Sequence, residues 1–176
     1  MTLSPGLRKA ALIAHVTSSL GWFGAVAAYA ALDIAAVTSQ NVEIVRGARL
    51  AMDLTITYVI VPLALAALAT GIIQALGTSW GLIRHYWVLA KLLLTVLATA
   101  VLPAETRTVA AMAEHAASSP DPGTMTGTLP HSIGGLVVLL LITVLSVVKP
   151  QGLTRYGWRK QQEQRRKKTM VATRQP

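Results

Sequence analysis

Residues 54–76 read LTITYVIVPLALAALATGIIQAL, and no Asp, Glu, Lys or Arg interrupts them. About 20 consecutive apolar residues wound as an α-helix cross a hydrocarbon core about 30 Å thick, so this stretch is expected to span a bilayer. Three further stretches share its character, at 10–37, 84–102 and 129–148. Residues 84–102 cover about 28 Å at 1.5 Å per residue, just enough to cross. Composition agrees: the 176 residues are 53% hydrophobic and only 13% charged, whereas a soluble domain carries roughly a quarter of its residues as charges. The expected fold class is all-α, an integral membrane four-helix bundle, left-handed and mostly antiparallel.

The interruptions consist of turn residues or charge. SQNVEIVRGAR and GTSWGLIR are expected to connect the first three spans, and PAETRTVAAMAEHAASSPDPGTMTGTLP forms the longest connection. Within it, TRTVAAMAEHAA is rich in helix formers and either extends the third helix or lies on the membrane surface, while SSPDPGTMTG is loop material. Pro62, near the middle of the second span, is expected to kink it, and Pro103 to kink or end the third. MTLSPGLRK resembles the charged start of a signal peptide, but the apolar run behind it continues too far, which favours a retained first helix.

Charge sets the expected orientation. Arg8, Lys9 and Arg84 flank spans at one end, joined there by Lys149, Arg155, Arg159, Lys160, Arg165, Arg166, Lys167, Lys168 and Arg174 after the fourth span. At the other end Arg46, Arg49 and Arg107 are balanced by Glu43, Asp53, Glu105, Glu114 and Asp121. Positively charged loops stay inside, and an even number of spans places both termini in the cytoplasm. The chain divides into a transmembrane domain, 1–150, and a basic tail, 151–176, expected to be mobile. A basic run directly after a final span is read as a topology determinant that touches anionic lipid headgroups, each charge contributing about 1 kcal/mol near the surface. Nucleic acid is not expected as a partner.

Several chemistries are excluded. Without cysteine there are no disulfides, thiol nucleophiles or thiolate metal ligands. No HExxH, GxGxxG, GxxxxGK or nucleophile-elbow motif is present. What remains is a set of polar residues inside the spans. Lys91 lies seven residues beyond Arg84, almost two turns, with Trp87 on the same stripe. Either Lys91 snorkels to the interface beside an aromatic belt, or it faces inward to meet an acidic ligand group, since a charge within a span is costly unless partnered. His15, Ser18, Ser19 and Trp22 share a stripe on the first helix, and Gln74 near the end of the second completes a His, Gln, Lys cluster. Gly21 and Gly24 permit close helix packing there. His85 adjoins the aromatic belt as a weaker ligand candidate. At the opposite end Arg49 and Asp53, four apart, are expected to pair along one helix. Asp33 closes the first helix, Asp53 with His131 is a second candidate metal or proton site, and His115 is expected to face solvent.

Taken together, AHVTSSLGWFGAV, LATGIIQAL, GLIRHYWVLAKLLLTVLATAVL and HSIGGLVVLLLITVLSVVKPQGLTRYG resemble a group of small bacterial, particularly actinobacterial, integral membrane proteins, over about residues 8–160. More distantly the chain resembles the superfamily of the copper-resistance D membrane domain and the haem-using membrane protoporphyrinogen oxidase. That likeness rests on His15 followed by GWFG (Gly21–Gly24), GIIQ (Gly71–Gln74) and W-x-x-x-K (Trp87–Lys91). The resemblance implies a multi-pass protein of the bacterial cytoplasmic membrane, with His15 as a haem-associated histidine and Lys91 as a lysine of the inner site. The chain departs from the oxidase pattern at the outer end of the third span, where Leu102 and Pro103 stand in place of a histidine.

The functional expectation is therefore b-type haem or porphyrin binding for membrane redox or sensing. His15 supplies an axial nitrogen to the haem iron, Lys91 or Arg84 pair with propionates, and Trp87, Gln74 and His85 complete the cofactor site. The alternatives are a non-enzymatic scaffold or a transport subunit that works as a homo-oligomer, and a quinone-binding protein.

Overall fold

The computed structural model describes residues 4–77, 85–123, 127–150 and 152–172, apart from the side chains of 164, 167–169, 171 and 172. It contains four long helices, α1 (Pro5–Thr38), α2 (Val42–Gly77), α3 (Tyr86–Ser118) and α4 (Leu129–Val148), followed by α5 (Arg155–Ala172) in the tail. All four long helices are apolar enough to cross a membrane. The chain is a multi-pass membrane protein of all-α class.

Local chemistry sets the helix ends. Ser4 Oγ accepts from the Leu7 N–H at 3.4 Å, and Pro5 occupies the first helical position, where its missing N–H costs nothing. Asn41 Oδ1 accepts from the N–H groups of Glu43 and Ile44 at 2.9 and 3.4 Å, and Glu43 places negative charge against the positive end of α2. These caps start α2 well before residue 54. The expected connection SQNVEIVRGAR thus shrinks to residues 39–41. Likewise α3 runs through Pro103 to Ser118, so TRTVAAMAEHAA extends the third helix. The fourth span begins and ends where hydropathy placed it. Lys149 leaves it in the left-handed conformation, φ 45°, and Pro150 prevents continuation.

Pro62 shapes α2 in an unexpected way. A proline ring crowds the carbonyl four residues back and offers no N–H to it. The turn before it, Ile56–Ile60, is π-helical, and the Val61 N–H donates to the Ile56 carbonyl five residues back. The helix continues through the proline by way of this wide turn.

The core joins Trp22, Val26 and Tyr29 of α1, Met52, Ile56, Ile60, Ala64 and Ala67 of α2, Val109 of α3 and Leu139 of α4. α1 packs against both halves of α2 and against α4, and α2 packs against α3. Burial is uneven along α3. Val109, Met112, Ala113 and Ala116 are buried, but no residue from Tyr86 to Thr108 is. Leu20, Leu65, Leu93 and Val147 are each more than half exposed, an apolar surface that lipid must cover. The 20 residues of α4 span about 30 Å, one hydrocarbon thickness. α1 to α3 are longer and reach beyond it.

At the end of the bundle away from the termini, polar groups lock three helices together. Asp33 is fully buried and Arg49 is 2% exposed, with 3.5 Å between Oδ1 and the guanidinium. The Thr128 hydroxyl donates to Asp33 Oδ2 at 2.8 Å and Ser132 does so at 3.4 Å. Tyr29 meets the Thr128 hydroxyl at 2.9 Å. Arg49 therefore pairs across helices with Asp33, and Asp53 is not its acid. Helix α1 also continues past Asp33 to Thr38. Beside the lock, Arg46 donates to the carbonyls of Ala116 and Ser119 at 2.8 and 3.1 Å, capping the end of α3.

Removing one member of a buried ion pair leaves the other charge desolvated and alone, at a cost of about 3–5 kcal/mol. Asp33→Ala is expected to lose that much stability in detergent, whereas Asp33→Leu combined with Arg49→Leu recovers most of it. Helical circular dichroism followed through a denaturant titration measures both.

Candidate functional site

His15 sits on α1 with its half-buried ring laid against α2. Its Nδ1 is 3.1 Å from the Ala67 carbonyl and 3.2 Å from Thr70 Oγ1. A carbonyl only accepts, so Nδ1 carries the hydrogen. Thr70 agrees with this assignment. Its own hydroxyl donates to the Ala66 carbonyl at 2.6 Å, which leaves an oxygen lone pair facing Nδ1–H. In the neutral ring the lone pair is then on Nε2. Gly71 makes this seating possible, because a Cβ there would lie 3.1 Å from His15 Cε1.

One turn further toward the termini, Gln74 donates from Nε2 to the Ala11 carbonyl at 2.9 Å. The structure thus brings His15 and Gln74 to a single seam, each reaching across to the other helix's backbone. The stripe expected on α1 is present as well. Ser18 donates to the His15 carbonyl at 3.1 Å, and both Ser18 and Trp22 are buried.

Lys91 arrives from α3. It is half-buried, with Nζ 5.5 Å from the centroid of the Trp87 ring, which supplies a cation–π contact. Trp87 in turn lies 6.3 Å from the His85 ring at 44°. Among the described residues no Asp or Glu pairs with Lys91. His85 begins α3 in a short antiparallel pairing with Leu153. Arg84 lies outside the described residues.

The second candidate site does not assemble. His131 Nε2 stands 3.5 Å from Glu105 Oε1, a carboxylate of α3, and not against Asp53. Among the described residues no group of three or more His, Asp or Glu is arranged to hold a metal ion. His115 is half-buried, where solvent exposure was expected.

Sequence reasoning missed Thr70, the side chain that shares the imidazole proton with Ala67. Its signal was present, since Thr70 precedes Gln74 by four residues and so occupies the same helix face. No protein-family model matches this chain, and comparison with curated proteins and with solved structures gives no match either.

The hydrogen-bond pattern fixes one tautomer. Protein labelled with 15N-histidine, recorded above the titration of the ring, is expected to show His15 protonated at Nδ1 and bare at Nε2. Gly71→Ala pushes on the ring and is expected to shift both resonances.

Proposed function

We propose that this chain is a haem- or porphyrin-binding protein of the bacterial cytoplasmic membrane, with both termini in the cytoplasm and with His15 as its axial ligand. The observation that carries the reading is the orientation of His15. A histidine that ligates iron commonly donates its other ring N–H to a carbonyl, which fixes the ring and raises the basicity of the ligating nitrogen. His15 does this with Ala67, which would leave its Nε2 lone pair for an axial position.

The other residues take roles that follow from their chemistry. Lys91, half-buried and without a carboxylate partner among the described residues, supplies positive charge for a propionate. Arg84 is proposed as a second such charge, seven residues earlier. Trp87 gives an aromatic wall beside Lys91, while Gln74 and Thr70 hold α1 and α2 in the register that aims His15. His85 shares this end of the bundle. Bound haem would supply one-electron or gas-sensing chemistry. A cytoplasmic location for the termini is supported by the positive charge that follows α4, and the bacterial setting by the resemblance of the spans.

Purified from its native membrane, the protein is expected to carry near-stoichiometric haem, seen as a Soret band and in a pyridine haemochrome assay. His15→Ala is expected to lose it, and added imidazole to restore part of the band in His15→Gly. Absence of a Soret band in the wild-type protein, even after haem supplementation, overturns the proposal.

A second reading, a non-enzymatic scaffold or oligomeric transport subunit, is favoured by the first half of α3, where no residue from Tyr86 to Thr108 is buried. It predicts that cysteines placed singly at Leu93 or Leu97, both exposed, form disulfide-linked dimers in the membrane in high yield. Monomeric behaviour at both positions would count against it.

A further inference from the structure

The tail folds back to build a cleft that the function proposed above does not use. After α4 the chain turns at Lys149 and Pro150 and meets the start of α3. His85 pairs with Leu153, and the Tyr86 N–H donates to the Gly152 carbonyl at 3.4 Å. Gly152 packs close to Tyr86, with 3.7 Å available to a Cβ. Thr154, buried, then caps α5, its Oγ1 accepting from the Gly157 N–H at 3.1 Å. The tail is thus helical through Ala172 and meets the start of α3 just before its first turn.

Between the two elements lies a cleft of about 280 Å³ lined by Tyr86, Leu153, Arg155, Trp158 and Arg159. Arg155 and Arg159 are one helical turn apart on α5 and so point the same way. Among the described residues neither is paired with a carboxylate. Tyr86 and Trp158 are each 58% exposed, and both belong to the aromatic types that settle at the membrane–water boundary. Position agrees, because the cleft adjoins the first residue of α3 and follows the last residue of α4, where the spans leave the apolar core.

We propose that this cleft is a binding site for a phosphate group, in the first instance that of an anionic phospholipid headgroup. Two guanidinium forks offer the planar donor geometry that phosphate oxygens match in pairs. The two aromatic rings flank the headgroup at its natural depth, and Leu153 contacts the glycerol. Clusters of basic residues just outside a span recognise anionic headgroups in this manner. The proposal is independent of haem at His15.

Native mass spectrometry of the full-length protein, delipidated in detergent and titrated with phosphatidylglycerol or phosphatidylcholine, tests it. The wild-type protein is expected to bind phosphatidylglycerol about tenfold more tightly. Arg155→Gln with Arg159→Gln should abolish that preference, while Arg165→Gln with Arg166→Gln, the same loss of charge further along α5, should leave it intact. Equal losses in the two double variants would overturn the site, since attraction would then be diffuse, as would the absence of any preference in the wild type. Millimolar inorganic phosphate distinguishes the source of the ligand. Failure to displace the lipid supports a headgroup site, and displacement that depends on Arg155 and Arg159 supports a site for free phosphate.

Discussion

A carboxylate and a guanidinium taken out of water have to find each other, and the meeting of Asp33 with Arg49 organises this bundle. Neither charge has water to fall back on. Their desolvation is offset only if the partners are held in good geometry and the remaining lone pairs are satisfied. Thr128 and Ser132 supply that satisfaction from the beginning of α4, so α1, α2 and α4 must arrive together. Gly127 completes the arrangement by coming within 3.1 Å of Asp33 Oδ1 where a Cβ would stand, a closeness that larger residues deny. Nearby, Arg46 ties the end of α3 to the same region.

The opposite end is held by weaker means. There the polar contacts across the seam between α1 and α2 are single hydrogen bonds from His15 and Gln74 beside the apolar packing, and the residues of α3 from Tyr86 to Thr108 are at most half-buried. Stability is therefore expected to fall from the Asp33 lock toward the termini. Binding sites are drawn from the less stable parts of proteins, because a ligand has to displace or reorganise something there. The polar residues that invite a ligand, His15 and Lys91, lie at the loose end, and the tight end has the character of a foundation.

The spans and the class of fold were legible because bilayer thickness acts on local sequence, and a run such as 54–76 has few other uses. The ends of the helices were less so. EIVRGAR reads as polar connection by hydropathy, yet its Val45, Ala48 and Arg49 are buried against neighbouring helices, a tertiary fact. Arg49 illustrates the limit most clearly. Its nearest acid along the helix, Asp53, is a local signal, and its true partner lies on another helix. For the candidate site, the shared stripe of His15, Ser18 and Trp22 and the placement of Gln74 followed from helical periodicity. The acceptor that orients the imidazole is a backbone carbonyl, and no side-chain pattern announces which carbonyl will face a given ring. The pairing of residues 152 and 153 with the start of α3 was equally silent, because the tail's charge dominates its reading.

The wide turn ahead of Pro62 affects more than the shape of α2. Met52, Ile56, Ile60 and Ala64 are all buried, although residues four apart on an ordinary helix drift about 40° per step and would swing about 120° around the axis over this distance. A π-helical turn absorbs one extra residue, which brings Ala64 back to within about 20° of Met52 around the axis. The proline turn thus acts as a phase corrector between two segments that must both face α1: one carrying Arg49 to Asp33, the other carrying Ala67 and Thr70 to His15. Shortening the turn by one residue would rotate one segment against the other by about 100°, so that only one of the two meetings was kept.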